Sequence, residues 1–234
     1  MPEVNFADMA VWYLVFVIST TCHEAAHAWA AYRGGDLTAY SLGHVTLDPT
    51  PHIRRTPFGM VVVPILSFLL NGWMLGWASV PVNARWAASH PRKAALMSLA
   101  GPAANLLLAA LALVAMRALL AADIVQAPTG SVRFQDLVTV PDGQALNTPL
   151  GALARFLSVM LVLNVLLGLF NLVPIPPLDG ASVLEGAAPR ATAGFFQRLR
   201  DVPMFEFLGL MIAWRFFPYV SGPALVFVAD LLHA

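Results

Sequence analysis

The residues best suited to chemistry in this chain are His23, Glu24 and His27, set as His23-Glu24-Ala25-Ala26-His27. Histidines at i and i+4 share one face of a helix, so both rings can reach a single divalent metal ion. The glutamate between them points to the adjacent side, where it can accept a proton from an attacking water. Hydrolytic zinc centres of this kind use three protein ligands and keep one position open. A third ligand, carboxylate or histidine, must therefore arrive from elsewhere in the chain at the same depth. In a soluble protein such a pattern is often no more than a solvated helix face. Here it lies in an apolar stretch from about Met9 to Ala31, long enough to cross a bilayer. An unpaired charge at that depth costs at least ~2.5 kcal/mol. Ionisable side chains packed this closely inside lipid call for a metal.

Composition places the rest of the chain in the same environment. Of 234 residues, 59% are hydrophobic and only 11% charged, with a mean hydropathy of +0.72. A soluble domain carries about 25% charged residues, so most of this chain must face lipid. Lys+Arg and Asp+Glu both number 13. That balance gives no basic excess, and no nucleic-acid partner is expected. The lone cysteine, Cys22, excludes an internal disulfide framework and a cysteine-type zinc site. The N-terminus opens with acidic Glu3 and Asp8 where a cleavable signal would be basic, and its apolar run carries the motif, so it is not read as a signal peptide.

The elements that must position the site follow from hydropathy and breakers. The first span stops at Tyr32-Arg33-Gly34-Gly35, a helix exit. Alternation over residues 37–47 predicts one or two short strands. Apolar sequence from Phe58 to Val80 is interrupted by Pro64, Asn71, Gly72 and Gly76, and reads as broken. A polar stretch at 83–93 precedes a span from about Ala94 to Ala121. A soluble loop at 122–148 leads to another span, about Leu150 to Leu172, which ends in a proline-rich run up to Asp179-Gly180. Phe195 to Arg200 is amphipathic and suits an interface. Two apolar segments, about 203–219 and 222–234, are short for full crossings. No repeat or appended soluble domain is visible, and residues 1–234 read as one membrane-embedded domain with its core at 9–185.

Charge sets the topology. Arg33, Arg54, Arg55, Arg85, Arg92 and Lys93 flank the broken 58–80 segment, and cytoplasmic loops gather Lys and Arg. If the segment enters and returns as a re-entrant hairpin, all of these lie on the cytoplasmic side and the N-terminus lies outside. Asp179 then emerges at the face near which His23 sits, about 12 Å inside the helix end. A full crossing would put them at opposite faces. Asp179 alone could be a turn residue, but the proline run argues for broken backbone lining a cavity at membrane depth. The expected fold is an all-α polytopic membrane protein. It has about five to six transmembrane segments, a re-entrant hairpin and a small β element near the cytoplasmic face.

Three motifs together resemble the site-2 protease family of intramembrane zinc metalloproteases. They are His23 to His27, Ala100-Gly101-Pro102-Ala103-Ala104-Asn105, and Asn171-Leu172-Val173-Pro174-Ile175-Pro176-Pro177-Leu178-Asp179-Gly180. Gly43 to Pro57 and Pro81-Val82-Asn83 resemble the compact bacterial subgroup without a PDZ domain. The resemblance covers roughly residues 10–185. It implies one zinc held by His23, His27 and Asp179, Glu24 as general base, and Asn171 positioning the substrate backbone. The implied substrate is a transmembrane protein cut during signalling in the inner membrane, with the site towards the cytoplasm. Ala181 stands where the family often has a second glycine, and Arg54-Arg55 follow His52-Ile53 where the subgroup carries an acidic residue.

Other residues read more plainly. Gly101 and Pro102 suit either small-residue packing or the shaping of a cleft, with Asn105 one turn on as a hydrogen-bond donor to substrate. His44 and His52 read as loop residues near the cytoplasmic mouth, Cys22 as a packed residue, Asn164 as a helix–helix contact, and Arg117 and Arg215 as snorkelling cations. Residues 37–47 are the expected edge for an unwound substrate to join by strand addition, with 58–80 as a gate. A catalytically inactive scaffold and a metal-binding or transport protein are the alternatives. Oligomeric state has no signal in the sequence.

Overall fold

A computed structural model describes residues 5–128, 133–140 and 148–234. The first helix, α1 (Phe6–Gly34), starts where the Asn5 side chain accepts the N–H groups of Ala7 and Asp8, an N-cap. It stops at Gly35, whose φ of 103° lets its N–H return to the carbonyls of Ala31 and Tyr32, as the sequence predicted. Asp36 follows. Its Oδ1 accepts the N–H of Thr38 at 3.0 Å and the Thr38 hydroxyl at 2.6 Å, which starts the single turn α2 (Thr38–Ser41).

The predicted strand at 37–47 is therefore not formed, and no sheet exists among the described residues. The backbone bonds locally instead: the N–H of Gly43 donates to Tyr40 and that of His44 to Ala39. The alternation misled because Leu37, Leu42 and Leu47 are all exposed and define no buried face. With the strand goes the substrate edge expected there. The only ladder contacts described are isolated antiparallel bridges, Gln126 with Thr139 and Arg133 with Asp136.

The broken segment is a hairpin. After α3 (Pro49–Arg55) the chain bends by 111° into a π-helical turn, Phe58–Val62, continuous with α4 (Val63–Asn71). Gly72 closes α4 with a positive φ of 74°, and the chain turns back. The Leu75 N–H donates to Ser67 Oγ at 2.8 Å, and the Trp77 N–H to the Gly59 carbonyl at 3.2 Å. The return ends where the Asn83 N–H donates to Asp36 Oδ2 at 2.8 Å. Next come α5 (Ala84–Ser89) and α6 (Pro91–Ala121). Trp86 Nε1 and Lys93 Nζ both donate to the Gly34 carbonyl, at 3.3 and 3.0 Å. The chain entering the hairpin and the chain leaving it thus meet at one end of α1, as a re-entrant segment requires.

At the other end of α1, Arg155 near the start of α7 (Pro149–Asn171) pairs with Asp8 at 3.2 Å and Asp136 at 3.0 Å. Val125, Leu137 and Val138 of the intervening loop are buried beneath it. So α1 and α7 run the same way and α6 runs against both. Of the three, α7 is the most enclosed: 56% of its apolar window is buried, against 39% for α1 and 22% for α6. α6 turns Leu96, Leu106, Leu107 and Leu111 outward, as a helix does whose solvent is lipid. Beyond α7 lie α8 (Asp179–Ala187), α9 (Pro189–Arg200), α10 (Phe205–Phe216) and α11 (Pro218–His233). Phe196 of the predicted amphipathic stretch is buried while Phe195 is exposed.

The described residues give three to five candidate spans, against the five to six expected. Three helices are long and apolar enough to span, α1, α6 and α7, or up to 5 spans if each bent pair counts as one. One of those pairs is the hairpin. The other is α10 with α11, bent by 48°.

Asp36 is the clamp that holds the loop to the hairpin's return. Burial, the largest single influence, would raise its pKa, but hydrogen bonds from the Thr38 hydroxyl, the Asn83 N–H and the Thr38 N–H outweigh it and hold the carboxyl below its ordinary 3.8. A depressed carboxyl contributes stability above its unfolded pKa and loses it as pH falls through the folded value. Asp36→Ala should cost about 2 kcal/mol at neutral pH, since charge-assisted hydrogen bonds are lost together. The difference in melting temperature between wild type and variant in detergent should shrink as pH is lowered below about 4. A difference independent of pH would show that the ionised carboxylate is not what clamps the loop.

Candidate metal centre

The donor atoms of His23, His27 and Asp179 lie within 4.8 Å of one another, and no other group of three His, Cys, Asp or Glu residues does so among the described residues. The two Nε2 atoms are 2.9 Å apart, and Asp179 Oδ2 is 3.3 Å from each. A tetrahedral zinc with bonds of about 2.0–2.1 Å sets its ligands roughly 3.3 Å apart. The rings meet edge to face with centroids 4.5 Å apart, so both nitrogens can point at one centre.

Backbone close approach holds this geometry. A Cβ on Gly101 would lie 2.3 Å from His27 Nε2 and 2.6 Å from His23 Nε2. The space in front of the two imidazoles therefore exists because α6 presents a bare backbone there. Of the alternatives for Gly101, the structure gives the shaping of the site. Asp179 opens α8, and a Cβ on Gly180 would lie 2.2 Å from the Leu172 carbonyl. Only glycine after the aspartate lets the proline loop fold back against α8. Gly186 sits equally close to the Pro91 carbonyl, so α8 lies along the start of α6 and its first residue reaches the histidines.

Glu24 is buried and makes no hydrogen bond or ion pair with the described residues. Its oxygens are not among the enclosed side-chain atoms left without a partner; the carboxylate keeps contact with solvent, as a base that takes a proton from water must. The donor set, the cradle at Gly101 and the free carboxylate all fit a catalytic zinc site. His27 Nδ1 lies 2.7 Å from the Met97 carbonyl, an acceptor only, which fixes the proton on Nδ1 and leaves Nε2 bare.

Asn105 is placed otherwise than the sequence suggested. It is fully buried, its Oδ1 faces His23 Nδ1, and its Nδ2 donates to Asn164 Oδ1 at 2.8 Å and the Ser19 carbonyl at 3.3 Å. It keeps no free donor for a substrate and holds a histidine instead. Asn171 stands at the end of α7, partly buried, with Nδ2 donating to the Leu167 carbonyl at 3.0 Å. His44, in the turn after α2, and His52, on α3, are both buried with ring centroids 5.2 Å apart, and neither belongs to the three-residue cluster. Cys22 is half-buried, and Arg117 donates to the Leu231 carbonyl.

Asn164 is the helix–helix contact that the sequence suggested, its Nδ2 donating to Ser19 Oγ of α1 and to the Met160 carbonyl, both at 2.8 Å, whereas Ser19 was not singled out. The signal was present. An asparagine amid the apolar run of α7 needs partners inside the bundle.

A helix bundle of this kind, with a two-histidine, one-carboxylate cluster and a free glutamate among apolar spans, is that of a membrane metallohydrolase. The sequence profile of peptidase family M50 matches residues 11–212, past the point at which the motif resemblance ends. YwhC of Bacillus subtilis (strain 168), named provisionally as a zinc metalloprotease, is 33% identical over 206 residues, covering 86% of this chain and 80% of its own length. Rip2 of Mycobacterium tuberculosis, named in the same way, is 32% identical over 170 residues. That match covers 73% of this chain, which spans only 54% of Rip2. Rip2 of Mycolicibacterium smegmatis is 31% identical over the same length. No solved structure shows significant similarity. The chain belongs to peptidase family M50, the intramembrane zinc metalloproteases of the site-2 type. The similarity to YwhC includes no PDZ domain.

Gly101→Ala should abolish zinc binding, because a methyl group would occupy the space between the two Nε2 atoms and any metal. Gly222→Ala, where a Cβ meets nothing within 4 Å, should bind zinc like the wild type. Elemental analysis of the purified proteins reads the outcome. Full zinc in Gly101→Ala would mean that the rings coordinate from another direction.

Proposed function

We propose that this protein hydrolyses peptide bonds in or near the transmembrane segments of membrane-protein substrates, using one zinc per chain held by His23, His27 and Asp179. The convergence of these three side chains beside an unpartnered Glu24 carries the reading. When bound, zinc would polarise the scissile carbonyl and lower the pKa of the attacking water. Glu24 takes that water's proton and later gives it to the leaving amine. His27 and His23 keep their protons on Nδ1 and donate them to Met97 and Asn105 throughout. Asn171, near the mouth of the site, positions the substrate backbone.

A substrate helix has its carbonyls tied up in internal hydrogen bonds and must unwind before it is cut. The hairpin's return supplies a replacement partner. Gly76 packs on the ring of Phe16, and Asn83 bonds Asp36 beyond the end of α1. Between these two anchors the return has no helical residue, so it runs as extended chain along α1. His23 and Glu24 lie between these anchors along α1, and residues 78–82 donate no backbone hydrogen bond to any described residue. The substrate pairs with this strand, in place of the edge once expected at 37–47.

The chain acts as one protease domain in the inner membrane, with the site towards the cytoplasm and the N-terminus outside. The basic loops on either side of the hairpin support that orientation. Ser89 and Ala127 are exposed at opposite ends of α6. In Cys22→Ser protein, Ser89→Cys should react with an impermeant thiol reagent only after the cells are opened, and Ala127→Cys in intact spheroplasts. The reverse pattern would invert the topology.

For the site itself, zinc content and cleavage of a co-expressed single-pass reporter are measured together. Wild type and Glu24→Gln should hold about one zinc, and Asp179→Ala little or none. Cleavage should fall by about 10²-fold or more in Glu24→Gln and vanish in Asp179→Ala. Full zinc in Asp179→Ala would remove Asp179 from the ligand set. Unchanged cleavage in Glu24→Gln would leave the protein without its general base.

A further inference from the structure

The two histidines are oriented by different means. His27 donates directly to a backbone carbonyl, but His23 faces Asn105 Oδ1, and an amide can flip to present its nitrogen instead. The contacts of α7 decide which way it points. Asn164 lies 2.8 Å from the Met160 carbonyl, an acceptor only, so the atom there must be Nδ2. The other end of the Asn164 amide, Oδ1, is then an acceptor, and the Asn105 atom 2.8 Å from it must be Nδ2. The Ser19 carbonyl, 3.3 Å from the same atom, demands the same assignment. Oδ1 is therefore the Asn105 atom that meets His23. An acceptor there places the His23 proton on Nδ1 and leaves Nε2 bare towards His27 and Asp179.

We propose that Asn164 is a positioning residue for the catalytic centre. It transmits the direction of a fixed backbone carbonyl on α7 through Asn105 on α6 to the tautomer of His23 on α1. This rests on the reading of His23, His27 and Asp179 as zinc ligands. The relay is buried, with Ser19, Asn105 and Asn164 at 0% exposure, so no bulk water can substitute for a lost partner. Outer partners of metal-bound histidines are commonly worth 10–100-fold in metal affinity. Asn164 never touches metal or substrate, and its contribution passes wholly through the orientation of the Asn105 amide.

That route gives a test which packing alone would not reproduce. A carboxylate accepts at both oxygens, so in an Asn105→Asp background there is no amide left to orient. Zinc affinity is measured by competition with a chelator in detergent, with the visible spectrum of the cobalt-substituted protein as a second readout. Asn164→Leu should lower zinc affinity by about 10–100-fold and change the cobalt spectrum. In the Asn105→Asp background the same substitution should lower affinity by well under about 10-fold, the lower end of what an outer partner contributes. Ser158→Ala is the control for general destabilisation: its hydroxyl is buried on the same helix and bonds the Leu137 N–H outside the relay. It should keep wild-type zinc affinity. If Asn164→Leu does not fold, Asn164→Ser, which can bond back to the Met160 carbonyl but is too short to hold Asn105, enters the same cycle. An equal loss in both backgrounds, or none in either, would overturn the relay while leaving the metal site standing. Failure of the wild type to bind zinc would overturn both.

Discussion

An apolar bundle in lipid cannot hold two histidines and two carboxylates unless they answer one another, and the architecture of this chain follows from that requirement. Each ionisable group left alone at such depth would cost several kcal/mol. His23 and His27 come from α1, whereas Asp179 follows α7 by way of a proline-rich turn. The two helices must therefore run in the same direction and end at the same face. Only an odd number of crossings between them allows this, and α6 provides the one that is needed. The hairpin at 58–83 is then obligatory in form. Had it crossed, the carboxylate and the imidazoles would have been separated by the thickness of the membrane.

Within that arrangement the close contacts fall where side chains are missing. Helices in lipid gain little from burying apolar surface against one another, so packing distance matters more than hydrophobicity. Gly101 brings the α6 backbone against both imidazoles, and Gly186 seats α8 on the Pro91 carbonyl. The Arg155 pairs with Asp8 and Asp136 hold the far end closed, and Asp36 holds the near end. The turn that carries the two histidines lies between two polar clamps, which keeps the cluster with Asp179 in place.

Much of this was legible in the sequence because the relevant signals are local or topological. The helix exit at Gly35, the broken character of 58–80 and the spacing of the histidines each report a physical necessity. The placement of Asp179 followed from charge bias together with parity of crossings. The strand expected at 37–47 failed because alternation of apolar residues signals a strand only where one face is buried. Asp36 instead spends both carboxylate oxygens on Thr38 and Asn83, and the latter lies beyond the hairpin. Asn105 was assigned to the substrate because spacing puts it near the cleft, but direction within a helix depends on neighbours that no single segment names. Its partners are Ser19, His23 and Asn164, contributed by two other helices.

The unequal treatment of the two histidines has a structural cause. His27 lies one turn closer to the helix end, level with Met97, whose carbonyl accepts its proton directly. His23 lies deeper, level with Asn105, where α6 is regular and its carbonyls are engaged along the helix. No backbone acceptor is free there, so a side chain must supply one. An asparagine can do so only if its amide is held, because either end fits the same space. A carboxylate would serve without such support, yet it would add a third negative group beside Glu24 and Asp179 in a medium that penalises charge. A neutral amide held by neighbours gives the same acceptor without that charge. On this view the polar residues of α7 are the consequence of placing a histidine so far from the membrane surface.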